Sequence, residues 1–447
     1  MAQALWTDLY ELTMAASYLR RGMTEEATFS LYIRSMPRER GFLVAAGLER
    51  ALDFLEDLQF TDEDLSYLRE ELHFGDEDID AFRALRFTGD VWAVPEGTIV
   101  LANEPILEVT APIAAAQLVE TPLLNFVTTQ TTFASKAARY RLAAGDRDVV
   151  DFAMRRTHGI EAAMAVARTT AMMGFVATSN VEAARRFGLR ATGTMAHSYV
   201  EAFSSEADAF RAFAEDFPTR ATFLVDTYET LNGVRTAVDV IRDLRLTDDL
   251  GIRLDSGDLD ALSRGARRIL DDAGLGHVRI VASGGLDELY IQELVRGGAP
   301  IDAFGVGTQM GVSADVPSLE SVYKLVRFAE RPVLKLSAEK ATLPGEKQVF
   351  RGDGGDILGL RDEPIPEGTR PLLEPVLREG RRTRPPQVIE AGLSRFESDL
   401  AGLPETALDL RTPRAPTARV SEALSRLGDE TRAAALARVR PHDPAST

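Results

Sequence analysis

The chain has 447 residues, 45% hydrophobic and 27% charged, with a net charge of −18 at pH 7 and no cysteine. That balance fits globular cores large enough to need no disulfide or metal staple. It excludes Cys nucleophiles, zinc–thiolate sites, Fe–S clusters and disulfides, argues against a general nucleic-acid binder, and fits a cytoplasmic location.

Met1 to Thr13 shows no basic region followed by a long apolar run, so no signal peptide is expected. No apolar stretch reaches the roughly 18 residues of a membrane helix. Residues 8–21 have a helical pattern, and residues 27–33 alternate like a strand. A helical run is expected from Leu43 to Leu58, and acidic helices over 60–86. Short strands are expected at Val91–Val94, Thr98–Leu101 and Ile106–Val109, separated by turns at Pro95-Glu-Gly97 and Asn103-Glu-Pro105.

From about residue 120 the rhythm changes. A helix over roughly 117–144 leads into strand candidates at Val149–Met154, Phe175–Thr178, Ala191–Met195, Thr222–Val225, Gly251–Leu254, Arg279–Ala282 and Ala303–Val306. Helical patterns such as Ile160–Met173, Glu229–Leu244, Leu259–Asp272 and Leu286–Arg296 separate nearly all of them. The spacing is that of βα units and predicts an irregular or incomplete α/β barrel. The alternative is an open doubly wound sheet, weakened because no Gly-x-Gly-x-x-Gly follows the first strand. The expected organisation is a mixed α/β domain over 1–120, a catalytic barrel over 121–328, a segment over 329–410 completing the first domain, and a helical or disordered tail over 411–447. In that tail, 418–439 could form an exposed helix, and 440–447 are expected to be disordered.

In α/β barrels the reactive groups follow the C-terminal ends of the strands. Those positions here read Arg155-Arg156-Thr-His158, Thr178-Ser179-Asn180, His197-Ser198, Asp226-Thr-Tyr228, Asp255-Ser-Gly-Asp258, Ser283-Gly284-Gly285 and Gly305-Val-Gly307-Thr308. Each has a bland alternative. The glycine turns could be tight turns rather than phosphate cradles. Arg155 and Arg156 could pair with surface carboxylates. Asp258 could be a helix N-cap, and His197 could be structural. Of five lysines, Lys324, Lys335, Lys340 and Lys347 fall in one C-terminal segment, either a local anion site or a solvated basic stretch. No P-loop and no Gly-x-Ser-x-Gly elbow is present. The residues alone stop at a phosphate-handling barrel enzyme.

Thr7-Asp-Leu-Tyr-Glu-Leu-Thr13, Gly41-Phe-Leu-Val-Ala-Ala-Gly-Leu-Glu49, Gly193-Thr-Met-Ala-His-Ser198, Arg253-Leu-Asp-Ser-Gly-Asp258, Phe304-Gly-Val-Gly-Thr308 and Leu343-Pro-Gly-Glu-Lys-Gln-Val349 resemble the nicotinate phosphoribosyltransferases, in order, from about residue 5 to 355. The resemblance implies an irregular α/β barrel with a second mixed domain built from both chain ends. It implies condensation of nicotinate with 5-phosphoribosyl 1-pyrophosphate (PRPP), giving nicotinate mononucleotide and pyrophosphate in NAD salvage. It implies that ATP hydrolysis is coupled to the reaction and that Mg²⁺ is held mainly through pyrophosphate. It further implies a homodimer with shared active sites, and no nucleic-acid or membrane partner.

Carried onto this sequence, the resemblance makes His197 the histidine phosphorylated by ATP. Asp226 would hold its other ring nitrogen, and Asp255 would lie near the nicotinate ring and the ribose. Tyr10, from the partner subunit, and Phe152 would sandwich the pyridine ring. Arg155, Ser179 and Arg253 would complete the nicotinate site. Ser283, Gly284, Gly285, Gly307 and Thr308 would cradle the 5′-phosphate. Arg34, Asp258, Lys324, Lys335 and Lys347 would serve PRPP, pyrophosphate or ATP. The related nicotinamide enzymes carry aspartate where Ser179 aligns, and a serine can donate to a carboxylate. Some members carry Glu after the histidine, where this chain has Ser198. The competing readings are a nicotinamide or quinolinate phosphoribosyltransferase, a catalytically idle homologue, and a phosphate-binding isomerase or aldolase. A Schiff-base aldolase needs a strand-end lysine, and no barrel strand candidate has one.

Overall fold

Where short apolar runs alternate with amphipathic helices, the chain builds a parallel sheet. The computed structural model describes residues 4–336 and 342–438. Two compact units are present. One comprises 132–317 with 410–412, and the other 4–131, 318–409 and 413–438.

In the first unit, the strands are Asp148–Asp151, Ala177–Thr178, Thr222–Leu224, Gly251–Leu254, Arg279–Ala282 and Ala303–Val306. Each pairs in parallel with a neighbour in one six-stranded sheet. The first strand in sequence, Asp148–Asp151, pairs with the last, Ala303–Val306. First-to-last pairing is the mark of a sheet curling on itself, and it sets aside the doubly wound alternative. The ring does not close through the expected strand Ala191–Met195. That segment contributes only an isolated parallel bridge, Thr178 to Ala191. Its residues Ala191 and Gly193 are exposed, and a glycine with no side chain to bury weakens a strand.

Other expected elements stop early for local reasons. The first strand ends at Asp151 rather than Met154, because the chain turns into a 3₁₀ turn, Met154–Arg156. The helices Ile160–Met172, Thr230–Leu244, Leu259–Asp272 and Glu288–Arg296 cover the sheet. Leu259–Asp272 buries Leu259, Ser263, Ala266 and Leu270, one face at helical spacing, and Asp258 caps it by accepting the Ala261 N–H at 3.1 Å. The long helix Glu120–Ala144 carries the lysine that stands apart from the C-terminal cluster. Lys136 is fully buried, with Nζ 2.6 Å from Glu288 and 2.8 Å from Asp315, and Arg139 Nε lies 2.7 Å from Glu288. Burial pushes the Glu288 carboxyl up, but Lys136 and Arg139 outweigh it and hold it below the usual range.

In the second unit, both chain ends share one sheet. Glu26–Ile33 lies between Ser321–Phe328 and Pro105–Pro112, antiparallel to both. The sheet continues through Asp90–Ala93 to Glu374–Arg378. A four-stranded sheet holds Thr369–Pro371, Lys347–Gly352, Gly355–Leu360 and Arg419–Val420. The helical run expected from Leu43 divides. Leu43–Val44 pairs with Ile99–Val100, and the helix begins at Leu48, after Gly47. The tail forms the helix Glu422–Arg438, which buries Leu424 and Thr431. Lys340 and the segment 440–447 lie outside the described residues. No helix of the described residues is long and apolar enough to cross a membrane.

Candidate active site

The C-terminal ends of the parallel strands bring most of the expected residues into one hydrogen-bonded cluster. Arg253, at the end of Gly251–Leu254, is its centre. Its Nε donates to Ser283 Oγ at 2.8 Å, Nη1 to Thr194 Oγ1 at 3.0 Å and to the Met195 carbonyl at 3.5 Å, and Nη2 to Asp255 Oδ1 at 2.5 Å. Ser283 Oγ in turn donates to the same Asp255 oxygen at 2.5 Å. Burial pushes the Asp255 carboxyl upward, but the Ser283 hydroxyl, Arg253 and His197 outweigh it and hold it below the ordinary carboxylate range. Asp255 is therefore a fixed anion, and one N–H of Arg253 remains for a ligand among the five a guanidinium carries.

The Arg253 guanidinium stands 5.7 Å from the centroid of the Phe152 ring. That ring is also fitted to a glycine. A Cβ on Gly305 would lie 2.5 Å from Phe152 Cε2, so only glycine leaves the ring its place. Phe152 N donates to the Val306 carbonyl at 2.7 Å, and Ser179 N to the Asp151 carbonyl at 2.8 Å. These bonds put the aromatic residue and the serine at the ends of two paired strands.

His197 opens the short helix His197–Glu201 and is half-exposed. Its Nε2 is 3.9 Å from Asp255 Oδ2. Its Nδ1 lies 3.2 Å from Thr227 Oγ1. The expected Nδ1 partner, Asp226, is occupied elsewhere: its Oδ2 accepts from Asp255 N at 3.1 Å and Ser256 Oγ at 2.6 Å. Asp226 thus braces the Asp255 loop, and Thr227, its neighbour in sequence, takes the ring. The other Asp226 oxygen is buried and has no hydrogen-bond partner among the described residues. Nearby, burial and the charges of Asp226 and Glu229 push the Glu206 carboxyl up to about 7.

Three expected phosphate groups have other duties. Ser283 is 2% exposed and its hydroxyl is committed to Arg253 and Asp255. Asp258 is the helix cap described above. Lys347, in the second unit, is buried, with Nζ 3.2 Å from Glu108 and bonded to the Gly345 carbonyl at 2.8 Å. A buried ammonium needs such pairing, and this one faces inward rather than toward a ligand. What remains for an anion is the turn itself. Gly284 has φ of +88°, and a Cβ there would come within 1.8 Å of the Asp255 carbonyl. Gly285 follows in the left-handed region, and Gly307 precedes the exposed Thr308. Arg155 and Arg156 are exposed and form no ion pair among the described residues, so surface pairing does not account for them.

Residues 5–128 match the nicotinate phosphoribosyltransferase (NAPRTase) N-terminal domain, and residues 148–342 the nicotinate phosphoribosyltransferase (NAPRTase) family. A nicotinate phosphoribosyltransferase of Mycobacterium tuberculosis is 48% identical over 387 residues, covering 85% of this chain and 83% of its own length. The chain belongs to the nicotinate phosphoribosyltransferase family. A Bacillus subtilis member is 44% identical over 383 residues, covering 82% of this chain and 78% of its own. The crystal structure of human nicotinic acid phosphoribosyltransferase superposes with a TM-score of 0.85 at 28% identity, covering 95% of this chain and 99% of that one.

The remaining expected residues belong to the second unit. Tyr10 is 48% exposed on the helix Leu9–Arg20. Burial, Glu120 and Glu11 raise its pKa. Glu11, fully buried, accepts from Thr7 and from Thr121 at 2.8 Å, and burial pushes its carboxyl up to about 7. Arg34 and Lys324 are half-buried and Lys335 is exposed. Sequence reasoning missed Thr194, Thr227 and Gly305. Thr194 and Gly305 lay inside quoted motifs, and Thr227 stood beside a candidate, but each acts through a contact with a residue distant in sequence.

Proposed function

We propose that this chain transfers the phosphoribosyl group of PRPP to the ring nitrogen of nicotinate, releasing pyrophosphate, and that ATP drives the reaction through a phosphohistidine at His197. The observation that carries the reading is the convergence of Phe152, Arg253, Asp255 and His197 at the C-terminal edge of the parallel sheet, with Arg253 5.7 Å from the Phe152 ring centroid and Asp255 3.9 Å from His197. Phe152 offers a ring face for the pyridine. The spare N–H of Arg253 and the unpaired Arg155 face an anionic base, and Ser179 can donate to its carboxylate. No strong general base is needed, since the nicotinate ring nitrogen already carries a lone pair. The glycine turns at 284–285 and 307 offer backbone N–H groups to the 5′-phosphate.

In the tautomer in which Nδ1–H donates to Thr227, His197 Nε2 keeps its lone pair for attack on a phosphoryl group. The Asp255 carboxylate, 3.9 Å from Nε2, supports the positive charge that develops on the ring. Mg²⁺ does not find a cage here. The described residues contain no group of three or more His, Asp or Glu that could hold a metal, and Asp255 and Asp258 each have one carboxylate oxygen, Oδ1, engaged in hydrogen bonds. As the resemblance implies, Mg²⁺ would be held mainly through the pyrophosphate and would there neutralise charge on the leaving group. The exposed rings of Trp6 and Tyr10 fit a dimer in which a second copy covers that face.

The test is transfer of label from γ-labelled ATP to the protein. Label that is acid-labile, alkali-stable and absent in His197→Ala supports the reading. Label retained in His197→Ala sinks the phosphohistidine.

A further inference from the structure

One buried carboxylate beside this site has no part in the reaction as described. Asp151 is 1% exposed, at the end of the first parallel strand. Burial pushes its carboxyl up, and the bonds from Thr178 and Ala153 only partly offset this. No cation pairs with it among the described residues, whereas Glu108, Glu288 and Asp399 each face a lysine or arginine. A buried anion without a cation destabilises the fold relative to an apolar residue of similar size. Packing alone does not explain it.

Its hydrogen bonds point to a different duty. Asp151 Oδ1 accepts the Ala153 N–H at 2.8 Å. Asp151 Oδ2 accepts the Thr178 hydroxyl at 2.7 Å. The same hydroxyl oxygen accepts the Asn180 N–H at 3.0 Å. The polarity of this chain is set throughout, because a carboxylate only accepts and a backbone N–H only donates. The chain therefore runs Asn180 to Thr178 to Asp151 from one side, and Ala153 to Asp151 from the other. Phe152 lies between Asp151 and Ala153. Ser179 lies between Thr178 and Asn180. Each candidate base-binding residue is gripped by both of its chain neighbours, and the two grips meet on one carboxylate. Asn180 is anchored in turn, since its side chain caps the helix Val181–Phe187 by accepting from Ala183 at 3.1 Å.

We propose that Asp151 is a positioning residue that fixes Phe152 and Ser179 relative to each other and so sets the site's affinity and selectivity for the pyridine base. This rests on the reading that Phe152 and Ser179 hold that base. Thr178 is its relay. A valine at 178 keeps the shape of the threonine, removes the donor to Asp151 and removes the acceptor for Asn180. An asparagine at 151 can accept from one of its two donors while its NH₂ faces the other.

The experiment measures KM for nicotinate and for PRPP separately in Thr178→Val, Asp151→Asn, Thr178→Ser, Phe152→Ala and Ser179→Ala, with thermal melting to show that each is folded. Thr178→Val and Asp151→Asn are expected to raise the nicotinate KM about tenfold, as loss of a hydrogen bond to a charged group does. They should leave the PRPP KM within about twofold and narrow the preference for nicotinate over nicotinamide. Thr178→Ser, which restores the hydroxyl, returns nicotinate KM to the parental value. If Asp151→Asn does not fold, Thr178→Val carries the test. An unchanged nicotinate KM in Thr178→Val, with Phe152→Ala and Ser179→Ala both raising it, overturns the proposal and leaves the base-site reading standing. Equal rises in both KM values mean a general structural role and overturn it as well. No effect in Phe152→Ala and Ser179→Ala brings down the base-site reading, and the proposal with it.

Discussion

Replacing Gly305 by alanine tests the base site through one added methyl group. Gly305 is buried in the strand Ala303–Val306, where an alanine backbone is allowed. The new Cβ would lie 2.5 Å from Phe152 Cε2, 2.6 Å from Phe152 Cδ2 and 3.4 Å from Ser283 Cβ. Ordinary carbon contacts are about 3.5–4.0 Å, so the ring must retreat by roughly 1 Å. Overpacking of this kind costs about 1–3 kcal/mol, which lowers the melting temperature by roughly 2–4 °C per kcal/mol in a unit of this size. A misplacement of about 1 Å at a reacting group costs on the order of 100-fold in rate. Initial rates should be measured with nicotinate varied at saturating PRPP, then with the roles exchanged. The expected result is a nicotinate kcat/KM down about 100-fold, with the PRPP KM nearly unchanged. Adding Phe152→Leu should recover the melting temperature by relieving the clash, without recovering activity. A folded Gly305→Ala protein that uses nicotinate as well as the parent would refute the placement of the base against Phe152.

Other substitutions separate the remaining roles. Ser179→Asp places a carboxylate facing the base's own, and should lower nicotinate kcat/KM by about 10- to 100-fold; full retention of nicotinate activity would remove Ser179 from the base site. Lys347→Met leaves the fully buried Glu108 with Arg361 but without its ammonium partner, so melting should show a loss of about 3–5 kcal/mol. The PRPP KM should stay put in that variant, and a selective PRPP defect in a stable protein would restore Lys347 to the phosphate site. Glu11 has its folded pKa raised to about 7 from the 4.5 of an ordinary glutamate. Its contribution is fully present below about pH 4.5 and is lost as pH rises through 7, by up to about 3 kcal/mol. Denaturant titrations should therefore show Glu11→Gln flattening the fall in stability between about pH 4.5 and 7; an unaltered pH profile would mean that Glu11 does not titrate there.

Much of the parallel-sheet unit was legible because its signals are local. The helix Leu259–Asp272 and the strands Gly251–Leu254, Arg279–Ala282 and Ala303–Val306 fall where periodicity put them. Each is an apolar run or an amphipathic stripe bounded by its own turn residues. The third strand failed for the converse reason. Ala191 to Met195 has apolar and β-branched residues, but it finds no neighbour on one side, and strand pairing is a property of the partner as well as the segment. The site shows the same division. Residue types at strand ends named Asp255 and His197, and the family resemblance added Arg253. Partnerships across strands could not be read that way. Asp226 and Thr227 are adjacent in sequence, yet one braces Asp255 and the other takes His197. Lys347 looked like part of a cationic cluster, and only the fold shows Glu108 waiting for it. Sequence gives the charges; which of them face inward depends on strands more than 200 residues apart.

The central claim is that the site joins PRPP to nicotinate and not to its neutral or dicarboxylate relatives. Chromatographic measurement of mononucleotide formation from PRPP, with nicotinate, nicotinamide and quinolinate offered separately, tests it most directly. Nicotinate mononucleotide and pyrophosphate are expected in equal amounts, raised by ATP, with little product from the other two bases. Turnover of nicotinamide or quinolinate in preference to nicotinate would contradict it.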